Sequence, residues 1–195
     1  MNLPNKLTVI RIILAPLFLL LMMLEFPFHY LAAGLVFGAA ALTDMFDGRI
    51  ARSRGLITNF GKFLDPLADK MLTTAAFLGF LAVGKLDVWA LMLILSREFM
   101  VTSVRLIAAK DGNVIAASMA GKAKTVAQFV AIIYMLAALE VCSWQGTLLA
   151  ALALPDILFT VLLLIGRVLV WISVILTLIS GFQYVWNCRK YFTET

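Results

Sequence analysis

The sequence predicts an all-α, polytopic membrane protein of six transmembrane helices, and three observations lead there. Of the 195 residues, 63% are hydrophobic and only 14% charged, with a mean hydropathy of +1.01; a soluble domain carries nearer a quarter charged. Apolar runs of roughly 20 residues recur along the chain, each long enough to cross a hydrocarbon core of about 30 Å. Runs such as LAPLFLLLMML show none of the period-two alternation that a membrane barrel requires.

The apolar runs place spans at about 7–25, 31–50, 62–83, 87–108, 122–142 and 160–187. The first resembles a signal peptide in having Lys6, Arg11 and an apolar stretch. Glu25-Phe26-Pro27-Phe28 follows where small residues would mark a cleavage site, so it is read as the first membrane helix. The Gly84-Lys85-Leu86-Asp87 turn is short, which predicts that helices three and four are antiparallel neighbours. Lys110-Asp111-Gly112-Asn113 reads as a polar loop. Segment 146–159 is apolar but short before Pro155-Asp156, and is read as an interfacial or re-entrant piece. Trp171 and Trp186 are candidate interface anchors. With no repeat and no linker, residues 1–195 read as one domain.

Cations set the expected orientation. Lys6, Arg11, Arg49, Arg52, Arg54, Lys62, Arg105, Lys110, Lys122, Lys124, Arg189 and Lys190 collect on one side, while the alternate side carries Lys85, with Arg167 nearest to it. That asymmetry predicts both termini in the cytoplasm. It also accounts for the net charge of +5 and the pI near 9.4 without nucleic acid, for which no basic block with interleaved aromatics argues. Cys142 and Cys188 fall at opposite faces in this topology and are expected as free thiols.

Within this apolar chain, TDMFDGRIARSRGLITNFGKFLDPLADK (43–70) gathers four of the eleven acidic residues. Asp44 and Asp47 are three apart at the end of helix two; Asp65 and Asp69 are four apart at the start of helix three. On helices both spacings put the carboxylates on one face. If the two helices pack together, four carboxylates converge and repel one another, and divalent metal is the economical remedy. An all-oxygen donor set points to Mg²⁺ or Mn²⁺, and four carboxylates suggest two ions. Solvated loop aspartates are the plain alternative, and Asp65-Pro66 adds another, because proline favours the first helical turn and would make Asp65 an N-cap. Gly48 and Gly61, one turn from Asp44 and Asp65, leave room for a ligand or a neighbouring helix, and Arg52 could neutralise a phosphate.

In full the stretch reads D-x2-D-G-x2-A-R-x8-G-x3-D-x3-D: Asp44, Asp47, Gly48, Ala51, Arg52, Gly61, Asp65 and Asp69. It resembles the signature of the CDP-alcohol phosphotransferase family at all eight positions. The resemblance implies the family's fold of six transmembrane helices, often paired as a homodimer. It further implies that Asp44, Asp47 and Asp65 bind a divalent ion, and that Asp69 is the general base and contributes to a second ion. It places CDP-diacylglycerol against Asp47, Gly48, Ala51, Arg52 and Gly61, with Asn5 and Thr8 approaching the nucleotide. Capping of the first helix is the plain reading of Asn5 and Thr8.

Flanking segments, Pro4-Asn5-Lys6-Leu7-Thr8 with Arg11, SREFMVTSVR (96–105) and AASMAGKAKT (116–125), resemble the bacterial phosphatidylglycerolphosphate synthases. This implies glycerol 3-phosphate as acceptor, CMP as leaving group, and a multi-pass enzyme of the bacterial cytoplasmic membrane whose site faces the cytoplasm. The residues themselves favour an anionic acceptor. Arg97 falls mid-helix, where a charge costs about 2.5–3.5 kcal/mol on insertion scales, and Arg105, eight residues on, shares its face. Lys122 and Lys124 join them from helix five as candidate phosphate ligands. Against this stand an internal pair of Arg97 with an acid such as Glu98, disfavoured because adjacent helical residues diverge, and topological anchoring by the lysines. Other acceptors (serine, inositol phosphate, phosphatidylglycerol) fit the same chemistry, and a divalent-cation transporter is the reading from a different class.

Overall fold

The computed structural model describes residues 3–54, 59–110, 118–146, 148–149 and 154–187, with side chains inside helices excepted at 3–7, 44–54, 59–67, 69 and 106–110. Among the described residues there are six helices and no strand: α1 (Leu3–Met23), α2 (His29–Arg54), α3 (Asn59–Ala82), α4 (Val88–Lys110), α5 (Met119–Ser143) and α6 (Asp156–Asn187). They run alternately up and down. One end of the bundle therefore collects the start of α1, the end of α2, the start of α3, the end of α4, the start of α5 and the end of α6.

Two predicted boundaries move. α2 continues to Arg54 and α3 begins at Asn59, so Arg49, Arg52, Arg54 and Lys62 are helical rather than in a connection. For the same reason Asp65 lies seven positions into α3 and is not its N-cap; Pro66 is accommodated within the helix. Segment 146–159 divides. Residues 144–146 and 148–149 are turns, α6 begins at Asp156, and 147 and 150–153 lie outside the described residues, as do Asp111-Gly112-Asn113, Cys188, Arg189 and Lys190. Trp171 is midway along α6, and Trp186 is next to its last residue. Cys142 is a free thiol.

Local chemistry explains the ends. Gly84 takes φ +70°, the left-handed conformation that glycine adopts without steric cost. Lys85 N–H reaches Phe80 O at 2.8 Å and Gly84 N–H reaches Leu81 O at 3.0 Å, the paired bonds of a Schellman stop that returns the chain into α4. At the start of α5, Ser118 is extended (φ −71°, ψ 157°) and its Oγ accepts from Gly121 N–H at 3.1 Å.

α1 packs between α2 and α3, and α5 lies along α6 and against α2. The inward stripe of α1 is Thr8, Arg11, Ala15, Phe18 and Met22, spaced three or four apart. Phe18 meets Phe37 of α2 (5.9 Å between ring centroids), which meets Phe129 of α5 (5.4 Å), forming an aromatic spine. Outward faces are apolar: Leu35, Trp89, Phe99, Ile133, Val168 and Phe182 are all at least half exposed. α5 and α6 are long and apolar enough to cross a membrane, and Thr8–Met23, His29–Thr43 and Lys70–Ala82 are shorter apolar stretches among the described residues.

At the end of the bundle away from the aspartates, a buried carboxylate joins three elements. Glu140 of α5 accepts from Leu31 N–H in the first turn of α2 and from Trp144 Nε1–H, each at 2.7 Å. The first-turn N–H groups of a helix have no partner within it, so Glu140 caps α2 from across the bundle. Glu140→Leu strands both donors and is expected to cost on the order of 2 kcal/mol. The check is a thermal-unfolding midpoint in detergent about 4–8 °C below wild type, with Trp144→Phe losing roughly half as much.

Candidate active site

Four helices build a cavity of about 530 Å³ at the end of the bundle where α4 finishes and α5 begins. Among the described residues its walls carry five cations, Lys70 of α3, Arg97 and Arg105 of α4, and Lys122 and Lys124 of α5, against one carboxylate, Glu98. The four cations singled out from the sequence thus share one cavity; Lys70, Glu98 and Tyr184 of α6 are added by the structure.

Glu98 is the hub. Lys124 Nζ makes a short charge-assisted hydrogen bond to its Oε1, Arg97 Nη1 donates to the same oxygen at 3.3 Å, and Lys70 Nζ stands 3.9 Å from Oε2. Side-chain exposure of Lys124, Arg97 and Glu98 is 7, 10 and 12%. Charges so withdrawn from water are tolerated only when paired. The internal pairing of Arg97 with Glu98, disfavoured from the divergence of adjacent helical residues, therefore does occur. Divergence of Cβ directions limits short side chains, whereas these two are long enough to curl together.

Arg97 is also held from α6. Its Nη2 donates to Ser180 Oγ at 2.9 Å, while its Nε is buried with no hydrogen-bond partner among the described residues. Arg105 lies over the Tyr184 ring, 5.6 Å from the centroid, a cation–π contact. Lys122 is exposed on the rim.

The aspartates occupy the same end. Asp44 and Asp47 are in the second half of α2 and Asp65 and Asp69 in the first half of α3, so the backbone supports the three- and four-residue helical spacings. Their side chains, with those of Asn5, Gly48, Ala51, Arg52 and Gly61, lie outside the described residues. Lys70 follows Asp69 directly, so the cavity begins one residue from the last aspartate. Thr8 is fully buried and Arg11 is 3% exposed, both on the inward stripe of α1 at this end. The sequence reading gave Arg11 no place among the site residues, although a cation in register with an apolar stripe was the signal that it turns inward.

Among the described residues, then, this is an all-helical bundle with a cation-rich cavity at one end, next to a helix pair bearing four aspartates. The model of the CDP-alcohol phosphatidyltransferase family matches residues 1–179, and the chain belongs to that family. It is 38% identical, over 97% of both chains, to the CDP-diacylglycerol–glycerol-3-phosphate 3-phosphatidyltransferase of Bacillus subtilis strain 168. Proteins of the same name from Rickettsia bellii strain RML369-C (36%, covering 98% of this chain and 97% of the relative) and Escherichia coli strain K12 (34%, covering 96 and 95%) are similar along the whole length. Membership sets aside the divalent-cation transporter.

The hub sets a stability test. Glu98→Ala leaves Lys124 and Arg97 without their carboxylate and is expected to cost about 3 kcal/mol, read as a lowered unfolding midpoint. Glu98→Met combined with Lys124→Met should recover part of that loss, because a buried apolar pair needs no counter-charge.

Proposed function

We propose that the chain transfers the phosphatidyl group of CDP-diacylglycerol to a hydroxyl of sn-glycerol 3-phosphate, giving phosphatidylglycerol phosphate and CMP. The single observation that carries the acceptor is the five-cation cavity one residue from Asp69. A phosphomonoester dianion is the small acceptor group that such a cavity matches. The names borne by the relatives point the same way.

The aspartates suit a divalent ion by donor chemistry: two pairs of hard oxygen ligands, at helical spacings, on successive helices at one end of the bundle. Asp44, Asp47 and Asp65 would hold Mg²⁺ or Mn²⁺, with Asp69 contributing to a second ion. Bound there, the metal would offset negative charge on the diphosphate and on departing CMP. Gly48, Ala51, Arg52 and Gly61, with Asp47, are assigned to the cytidine diphosphate, and Asn5 and Thr8 to its approach. Arg97, Arg105, Lys122 and Lys124 hold the acceptor phosphate, which fixes its hydroxyl for attack. Asp69 takes the hydroxyl proton as the oxygen bonds to the phosphorus bearing diacylglycerol. The bond from that phosphorus to the CMP oxygen breaks, and CMP leaves.

Purified protein with both substrates and Mg²⁺ or Mn²⁺ is expected to release CMP, and chelation to stop it. Asp69→Asn should lower kcat by about 10²–10⁴-fold with the fold retained. CMP release with serine, inositol phosphate or phosphatidylglycerol, and none with glycerol 3-phosphate, would reassign the acceptor.

The same reading takes residues 1–195 as one domain of six membrane spans in the bacterial cytoplasmic membrane, working as a homodimer with both termini and the site on the cytoplasmic face. The apolar outward faces and the cation asymmetry support it. In right-side-out vesicles of a background without native cysteines, an impermeant maleimide should label Lys85→Cys and spare Ser118→Cys. The reverse pattern would invert the orientation.

A further inference from the structure

α6 is the last helix of the chain and lies far beyond the aspartates in sequence, yet one face of it underlies both arginines of the cavity. Ser180, Gly181 and Tyr184 are all buried, and they meet the Arg97, Val101, Val104, Arg105 face of α4. Three contacts define the fit. Ser180 Oγ spends its proton on Thr177 O at 3.1 Å, so its lone pairs are left to accept from Arg97 Nη2 at 2.9 Å. A Cβ at Gly181 would stand 2.8 Å from Arg97 Cγ. Because Cγ is so close to the α4 backbone, it cannot yield without a new rotamer or a wider helix spacing. Tyr184, packed against Val101 and Val104, presents its ring to the Arg105 guanidinium.

We propose that this face of α6 is the positioning element for the anion cavity. Ser180 and Gly181 set the place of Arg97, and Tyr184 sets that of Arg105, so that both guanidinium groups meet the acceptor's phosphate together. The three are positioning residues that need not touch substrate. The proposal rests on the acceptor reading above and adds to it the element that aims the cations.

The test varies glycerol 3-phosphate at saturating CDP-diacylglycerol, then the reverse, with CMP release as readout. Gly181→Ala and Tyr184→Leu are expected to raise KM for glycerol 3-phosphate about tenfold, the loss of roughly one charge-assisted contact, and Ser180→Ala about threefold. KM for CDP-diacylglycerol should stay within twofold of wild type, roughly the scatter of such measurements. Tyr184→Phe, which keeps the ring, should recover most of the Tyr184→Leu shift. Leu178→Ala, on the outward side of α6, is the control.

A second readout needs no turnover. Inorganic phosphate should raise the unfolding midpoint of the wild type, and Gly181→Ala and Tyr184→Leu should lose most of that rise. Both KM values rising together, or an unshifted KM for glycerol 3-phosphate in Tyr184→Leu and Ser180→Ala, overturns the proposal. If Gly181→Ala does not fold, those two variants decide. A wild type that ignores glycerol 3-phosphate but shows the phosphate response, lost in the variants, sinks the acceptor reading and keeps the role of α6.

Discussion

Glu98 draws Lys70 of α3, Arg97 of α4 and Lys124 of α5 onto one carboxylate, and the end of the bundle proposed to carry the chemistry depends on that gathering. Two of these cations are nearly buried, where unpaired charge costs several kcal/mol. One carboxylate cannot satisfy three cations fully, and it is not meant to. It keeps them folded inward while leaving the described side chains of the cavity with an excess of positive charge. A fully neutralised cluster would be more stable and would have no reason to bind an anion.

The constraint extends into the bundle through α6. Ser173 donates to Val170 O at 2.7 Å, Thr177 to Ser173 O at 2.6 Å and Ser180 to Thr177 O at 3.1 Å, so each hydroxyl is satisfied within its own helix. Gln128 of α5 joins the line at Thr177 Oγ1, 3.4 Å away. In a bundle with apolar outer faces, such self-satisfied hydroxyls let a polar seam run inward from the cavity without stranding donors. The opposite end solves its polar problem with one residue, Glu140, which caps α2 and holds the Trp144 indole. Polar groups at both ends thus fix the relative heights of helices whose apolar faces alone would permit sliding.

Much of this was legible in the sequence. Apolar runs placed all six helices, because a twenty-residue run without turn residues admits few other readings. The turn at Gly84 was readable for the same local reason. Boundaries near the aspartates were not: Pro66 argued for a helix start at Asp65, whereas α3 starts at Asn59. Local preference is a weak prior, and helix context overrides it. Arg97, Arg105, Lys122 and Lys124 were legible as a group because charge in an apolar helix is costly enough to demand a purpose. Glu98 as hub, Ser180, Gly181 and Tyr184 were not, since each acts through a partner on another helix. Gly181 in particular looks like any glycine in a long apolar helix until Arg97 is seen against it.

The division of labour along the chain has a physical consequence for selectivity. The aspartates come first in the chain, and the cations proposed to meet the acceptor come later, with Lys70 as the link between them. Under the proposed function, the five cations and one carboxylate among the described residues of the cavity would favour an anionic acceptor by attraction. They would also reject a neutral one by penalty, because a polyol seated there would exclude water and leave Arg97 and Lys124 underpaired. Discrimination of that second kind is the stronger, since stranding a buried charge costs more than a missing contact. On the proposed function, acceptor choice would be set less by the hydroxyl that reacts than by the group at the other end of the acceptor.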